Sequence, residues 1–292
     1  MPDALSPLAT LNVAGVYINL DRSTARRAQV EGELARRGLA SDYVRFPAVD
    51  GKQAGPGSSS LEPGEIGCFR SHACALRLYA AGDRHVHVAE DDIVFSSRFA
   101  AVVGELIRSG TLDRYDLIFL DTVVAVGLEL VSEFRRLYER QASHGGAGMP
   151  VSVLDFRQHK FASTSSYLVN RRSIARVADL LERELAAGPT RPLDLHYCRL
   201  METDGLRVGC VFPFVTSVRL ESASTTTIAG REGGDALRFA CDLLRHAFYV
   251  DCDWDVARRA IDAYAPSLLA DPQNRIIGMA LALATKEHLV QD

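Results

Sequence analysis

Apolar and polar positions follow two periods along this chain, and each change of period marks an element. Val13 to Leu20 (VAGVYINL) is a nearly continuous apolar run, the pattern of a buried first strand. Ser23 stands at the N-cap position of a helix over 24–37, with Val30 and Leu34 one turn apart and Gly38 at its stop. Tyr43 to Val49 (YVRFPAV) predicts a second strand, closed by Asp50-Gly51 and followed by a Gly/Ser-rich loop over 52–60. Ile66, Phe69, Ala73, Leu76 and Ala80 then fall at steps of three and four, one face of a helix that Gly82 ends. A short β-type run, Val86 to Ala89, follows it directly.

The alternation continues. Phe99 to Ile107 predicts an amphipathic helix, Tyr115 to Leu120 a strand, and Glu133 to Gln141 a helix. Ser143 to Gly148 has the composition of a lid or a linker. Val151 to Phe156 and Tyr167 to Val169 read as strands, Ile174, Val177, Ala178, Leu181 and Leu185 as a helix face, and Leu206 to Val215 as a last β-like stretch. Pro192-Leu193-Asp194 opens another helix, with Asp194 where a side-chain oxygen caps a first turn. From Asp235 only the helical period remains, in stripes at 237–248, 256–264 and 276–283.

Strands alternating with helices predict an α/β fold: a mainly parallel sheet with helices on both faces, over residues 1–228. Residues 229–292 form an all-helical C-terminal appendage after the link Ser222 to Thr227. The appendage carries no evident chemistry on its stripes and is expected to serve dimerisation, as a homodimer, or acceptor docking. With 47% apolar and 24% charged residues in 292, disorder is excluded. A net charge of −4 without a Lys/Arg-rich block argues against a nucleic-acid partner and leaves at most peripheral membrane contact. No apolar run reaches the length of a membrane span and the first residues lack a signal-peptide pattern, so a cytoplasmic location is expected. The six cysteines are spread out with no CxxC pair and read as reduced, mostly buried small hydrophobes, a pattern that argues against zinc.

The strand Val86 to Ala89 runs into Glu90, Asp91 and Asp92. Three adjacent carboxylates at a strand's carboxyl end repel one another unless a cation sits among them. In an open α/β sheet that end is where ligands bind. Two readings follow: a hard divalent metal holding a phosphate ligand, or an acidic turn in water. Neither a GxGxxG nor a GxxxxGK[ST] motif is present, so phosphate would be held by a metal and side chains, with Arg22 and Arg26 as cationic candidates. His85 and His87 share one strand face without an evident third ligand. Trp254 either stacks on a sugar or packs in a core or interface.

VYINLDRSTARRAQVEGELARRGL, then RFPAVDG, GEIGCFRSH and the strand ending Glu90-Asp91-Asp92 resemble, in order, glycosyltransferase family 25, which includes bacterial lipooligosaccharide β-galactosyltransferases and collagen galactosyltransferases. The resemblance runs from about Val16 to about Thr225 and includes Ser166-Tyr167 and Pro192-x-Asp194. It implies a GT-A-type fold and inverting transfer of a sugar, commonly galactose, from a UDP-sugar to a glycan or lipooligosaccharide-type acceptor. It implies that the acidic triplet is a DxD-like element for Mn2+ (or Mg2+) and diphosphate, with Asp92 as direct ligand and Glu90 as second. His159 and His196 are candidates to complete the metal shell. Residues of the shared motifs, Asn19, Leu20, Asp21, Arg22, Arg26, Val49, Asp50, Ser71, His72, Glu90 and Asp91, are expected to line the nucleotide-sugar site. The acceptor hydroxyl needs a base. Asp194 is the first choice, against its reading as a helix cap, and Asp121 the second. The rival readings are a metal-dependent phosphoryl-transfer enzyme and a catalytically inactive nucleotide-sugar-binding or scaffold protein.

Overall fold

A computed structural model describes residues 6–53, 59–123, 128–142, 151–220 and 234–261. Its helices and strands follow the two periods of the sequence. In chain order they are β1 (Val13–Asn19), α1 (Thr24–Arg36), β2 (Tyr43–Pro47), α2 (Pro63–Arg77), β3 (His85–Glu90), β4 (Ile93–Phe95), α3 (Phe99–Arg108), β5 (Leu117–Phe119), α4 (Leu128–Ala142), β6 (Ser152–Asp155), β7 (Ser166–Val169), α5 (Ile174–Ala187), α6 (Leu193–Thr203), β8 (Val208–Phe212), β9 (Thr216–Val218) and α7 (Gly234–Ala247). A further helix, α8, spans 254–261.

Seven strands form one sheet in the order β2-β1-β3-β7-β5-β8-β6. β1, β2, β3, β5 and β8 run the same way, while β7 and β6 run against them. The expected mainly parallel sheet is therefore present, with two antiparallel strands that periodicity alone did not distinguish. Outside it, β4 and β9 pair as a two-stranded antiparallel ribbon. β4 was not expected as a strand: it follows β3 after a two-residue turn made by Asp91-Asp92 and is only three residues long.

The pleat divides β1 between two cores. Ala14, Val16 and Ile18 pack with Phe69, Ala73 and Leu76 of α2, Val177 and Leu181 of α5 and Tyr197 of α6. Val13 and Tyr17 pack on the other face with Val30 and Leu34 of α1 and Phe99 and Val103 of α3. Helices thus cover both faces. α2 starts firmly: Pro63 takes the first position, where its missing N–H is no loss, and Glu62 and Glu65 form a reciprocal capping box. Gly67 lets the chain after β2 lie directly on α2, since a Cβ there would meet the Val49 carbonyl oxygen at 2.7 Å.

The chain leaves β1 through α1 toward β2 and returns through α2 to β3 on the other side of β1. The carboxyl ends of β1 and β3 therefore diverge at a topological switch point, the place where open α/β sheets bind ligands. The loop Ser143 to Gly148, the link Ser222 to Thr227, the stripe 276–283 and residues 54–58 lie outside the described residues. No helix among the described residues is long and apolar enough to cross a membrane. Trp254 is 64% exposed, so it is not a core residue here.

Candidate active site

Three polar ends meet at the switch point. β1 ends in Asn19, whose amide donates to the Asp91 carboxylate at 2.6 Å and to the Ser23 carbonyl at 3.2 Å. Arg45 from β2 holds the other face of Asn19, reaching its Oδ1 and its carbonyl at 3.0 Å each. From α1, Arg26 lies between two acids of the triplet, with Nη2 2.6 Å from Asp92 Oδ2 and Nε 3.1 Å from Asp91 Oδ1. The cation that three adjacent carboxylates require is thus supplied from within the chain. Asp91 is buried, and burial pushes its carboxyl up to about 6 against the pull of Arg26 and Asn19. Glu90 and Asp92 flank it with side chains 32% and 15% exposed.

Glu90 faces α2 and the start of β7. His72 Nε2 approaches its carboxylate at 3.4 Å, and the Thr164 hydroxyl donates to it at 3.3 Å. Burial disfavours the Glu90 charge, yet His72, Arg26 and Thr164 together hold its carboxyl below the ordinary range. His72 is itself buried, with Nδ1 2.9 Å from the Tyr167 hydroxyl. One turn before it on α2 is Cys68, whose thiol is pushed well up by burial and by the nearby charges of Glu90, Asp194 and Asp92. Asp194 and Glu90 are linked through one short segment, since the Ser163 N–H donates to Asp194 and the Thr164 hydroxyl to Glu90.

The segment Ser163-Thr164-Ser165 closes the site from the antiparallel strand β7. Its backbone is constrained: Ser163 has φ 82°, a left-handed conformation uncommon for a residue with a side chain. Three interactions hold it. Asp194 Oδ2 accepts the Ser163 N–H at 3.0 Å, the Ser163 hydroxyl meets Ser165 at 3.1 Å, and Arg245 of α7 donates to Ser163 at 3.2 Å. Asp194 is the second residue of α6, not its N-cap, which is Pro192. Its Oδ1 accepts the Leu195 N–H at 2.8 Å, so it does serve a first-turn donor while anchoring the Ser163 loop. Asp121, the second choice for a base, is 1% exposed and accepts from Ser165 and Thr216, both at 2.8 Å, and from Arg245. With its oxygens occupied and no access, Asp121 is a structural anion.

The remaining expected residues divide into edge contacts and supports. Asp21 is exposed and pairs with Arg45 at 2.5 Å, Leu20 is half-buried, and Arg22 pairs with Asp50 across the ends of β1 and β2. Ser71 is buried; its hydroxyl accepts the Val49 N–H at 2.8 Å and donates to the Gly67 carbonyl, which fixes residues 49–51 against α2. His196 is buried against Phe69 and near Glu184, and burial pulls it down to about 4; His159 packs on Phe156. His87 is fully buried between Tyr43 and Ser166, and burial pulls it down to about 3. An open groove of about 570 Å³ along α5, lined by Arg172, Arg176, Arg183 and Asp204, lies at the opposite, amino edge of the sheet. Its arginines pair with Asp113, Asp116 and Asp204.

Sequence reasoning did not single out Arg45, Thr164 or Arg245. Arg245 carried a weak signal, a cation one residue past Leu244 on an otherwise apolar helix stripe. An oxygen-only donor set is the kind that suits Mn2+ or Mg2+; within the triplet, Glu90 and Asp92 are less buried than Asp91. Residues 15–186 match the family model described as glycosyltransferase family 25 (LPS biosynthesis protein), well over half of the chain. No curated protein matches the chain.

Proposed function

The chain belongs to glycosyltransferase family 25, and from that premise we propose that it moves a sugar, galactose first among candidates, from a UDP-sugar to a hydroxyl of a glycan or glycoconjugate acceptor, with inversion at the anomeric carbon. The observation that carries this reading is the set of carboxylates at the switch point: Glu90, Asp91 and Asp92 at the end of β3, with Asp194 linked to Glu90 through Ser163-Thr164.

In a single displacement the acceptor oxygen attacks the anomeric carbon as the bond to the UDP oxygen breaks. The proton of the acceptor hydroxyl passes to a base, and the negative charge passes to UDP. Asp194 is the proposed base. It sits at the start of α6, fixed by two backbone N–H donors, which pre-organise its carboxylate. Glu90 and Asp92 would hold Mn2+ or Mg2+, which when bound stabilises the charge developing on the diphosphate. Arg26 holds Asp92 in place, and buried Asp91 ties the triplet to Asn19. Arg22 at the rim is half exposed and pairs with Asp50; it is the proposed partner of an incoming phosphate.

Calorimetry with UDP tests the donor assignment. UDP is expected to bind in the presence of Mn2+ and much more weakly after chelation. Absence of UDP binding in both conditions contradicts it and favours the scaffold or phosphoryl-transfer readings.

A further inference from the structure

Among the described residues, Cys68, His72 and Glu90 are brought together with a ligand atom of each within 4.8 Å of the other two. Cys68 and His72 stand four apart on α2, so one helix face presents both. Glu90 arrives from the end of β3. Three protein ligands of this kind, sulfur, imidazole nitrogen and carboxylate oxygen, suit a borderline-soft divalent ion rather than Mn2+ or Mg2+.

A second observation points the same way. His72 is 1% exposed, and its Nε2 has no hydrogen-bond partner although it lies 3.4 Å from Glu90 Oε1. Its other nitrogen, Nδ1, is taken by the Tyr167 hydroxyl at 2.9 Å. The metal-binding form is the tautomer that donates from Nδ1 and turns the Nε2 lone pair to the cluster, so an ion there replaces the present His72–Glu90 contact. A metal-binding histidine is commonly oriented in this way, with the far nitrogen tied to an oxygen partner. The Thr164 hydroxyl donates to the same carboxylate oxygen, Glu90 Oε1, at 3.3 Å.

We propose that Cys68, His72 and Glu90 form a site for Zn2+ that shares Glu90 with the oxygen-only site of the acidic triplet. Binding replaces the Cys68 S–H bond with a Zn–S bond and releases the proton to solvent. An ion at about 2.0–2.3 Å from each ligand holds tetrahedral ligands roughly 3.3–3.8 Å apart, a small contraction of the present cluster. A fourth position remains for water. Glu90 cannot serve both ions fully, so Zn2+ here opposes Mn2+ at the triplet. The site does not rest on the transferase reading, because it is argued from the positions of Cys68, His72 and Glu90 alone.

Cobalt replaces zinc as an optical probe of the full chain, stripped of metal with a chelator. One Co2+ is expected to bind with a thiolate-to-cobalt charge-transfer band in the near ultraviolet, and Zn2+ should abolish the band. Cys68→Ser should remove the band, and Tyr167→Phe should weaken Co2+ roughly 10–100-fold. Asp92→Asn should keep the band even if the transferase reading fails. No such band at saturating Co2+, or a band undiminished in folded Cys68→Ser, overturns the site. Should Cys68→Ser not fold, X-ray absorption of the zinc-loaded parent decides: one sulfur neighbour supports the site, and an all-nitrogen-and-oxygen shell overturns it.

Discussion

Asp194 has two duties in one carboxylate. It holds Ser163 in a left-handed conformation, and it is the proposed base. Asp194→Asn separates them in part: the amide oxygen keeps one of the two backbone N–H donors, at Ser163 or Leu195, and takes no proton from the acceptor. Transfer should fall by ~10²–10⁴-fold, with a stability loss of about 1 kcal/mol for the one hydrogen bond given up. Asp194→Ala should in addition lose stability by about 1–3 kcal/mol, leaving the Ser163 N–H without its charged partner. An Asn variant that keeps most of its activity, beside an Ala variant that only melts lower, would make Asp194 an anchor alone. At this scale the sequence showed which residue types meet at the strand end, because three acids in a row are visible without a fold. It did not show that Arg26 sits between Asp91 and Asp92, since 65 residues separate Arg26 from Asp91 and only the β1–β3 pairing brings them together. Nor could spacing show that Ser71 supports residues 49–51, which depends on the close approach at Gly67.

Among elements, α7 was legible as an apolar stripe, and its consequence was not. Arg245 is 2% exposed and donates to Asp121, Ser163 and Ser165, so a helix beyond the family-matched residues braces the loop that carries Thr164 to Glu90. A buried ion pair loses most when one partner is left alone. Arg245→Met is therefore expected to destabilise the fold by about 3–5 kcal/mol, and Asp121→Asn on that background should recover part of the loss. Denaturant melts of the single and double variants measure both. Additive losses would show that the pair does not brace the loop. The helices and most strands could be read from periodicity because a buried face imposes it. β4 and the reversed direction of β7 could not, because a three-residue strand has too few positions for a period and direction is set by pairing partners.

For the whole molecule, the buried histidines set a pH dependence. Burial pulls His87 down to about 3 and His85 and His196 to about 4, below the ordinary ~6.5 of the unfolded chain. Between about pH 6.5 and pH 4 the unfolded state therefore binds protons that the folded state refuses, so stability falls as pH falls through that window. The melting temperature should drop steadily there; a flat profile would contradict the burial of these rings. The α/β class was legible from alternating strands and helices, since a sheet covered on both faces leaves its apolar runs in plain view. The placement of the switch point was not, because strand order is a property of packing and not of any local stretch.

The most direct test of the central claim is UDP release from UDP-galactose in Mn2+, followed for the parent chain and for Asp92→Ala under the same conditions. The parent should release UDP slowly to water and faster once a suitable glycan acceptor is supplied. Asp92→Ala should release almost none while its circular dichroism spectrum remains that of the parent. Release by Asp92→Ala at the parental rate, or none by the parent from UDP-galactose or any other UDP-sugar with acceptors present, would contradict the assignment of the β3 carboxylates to sugar transfer.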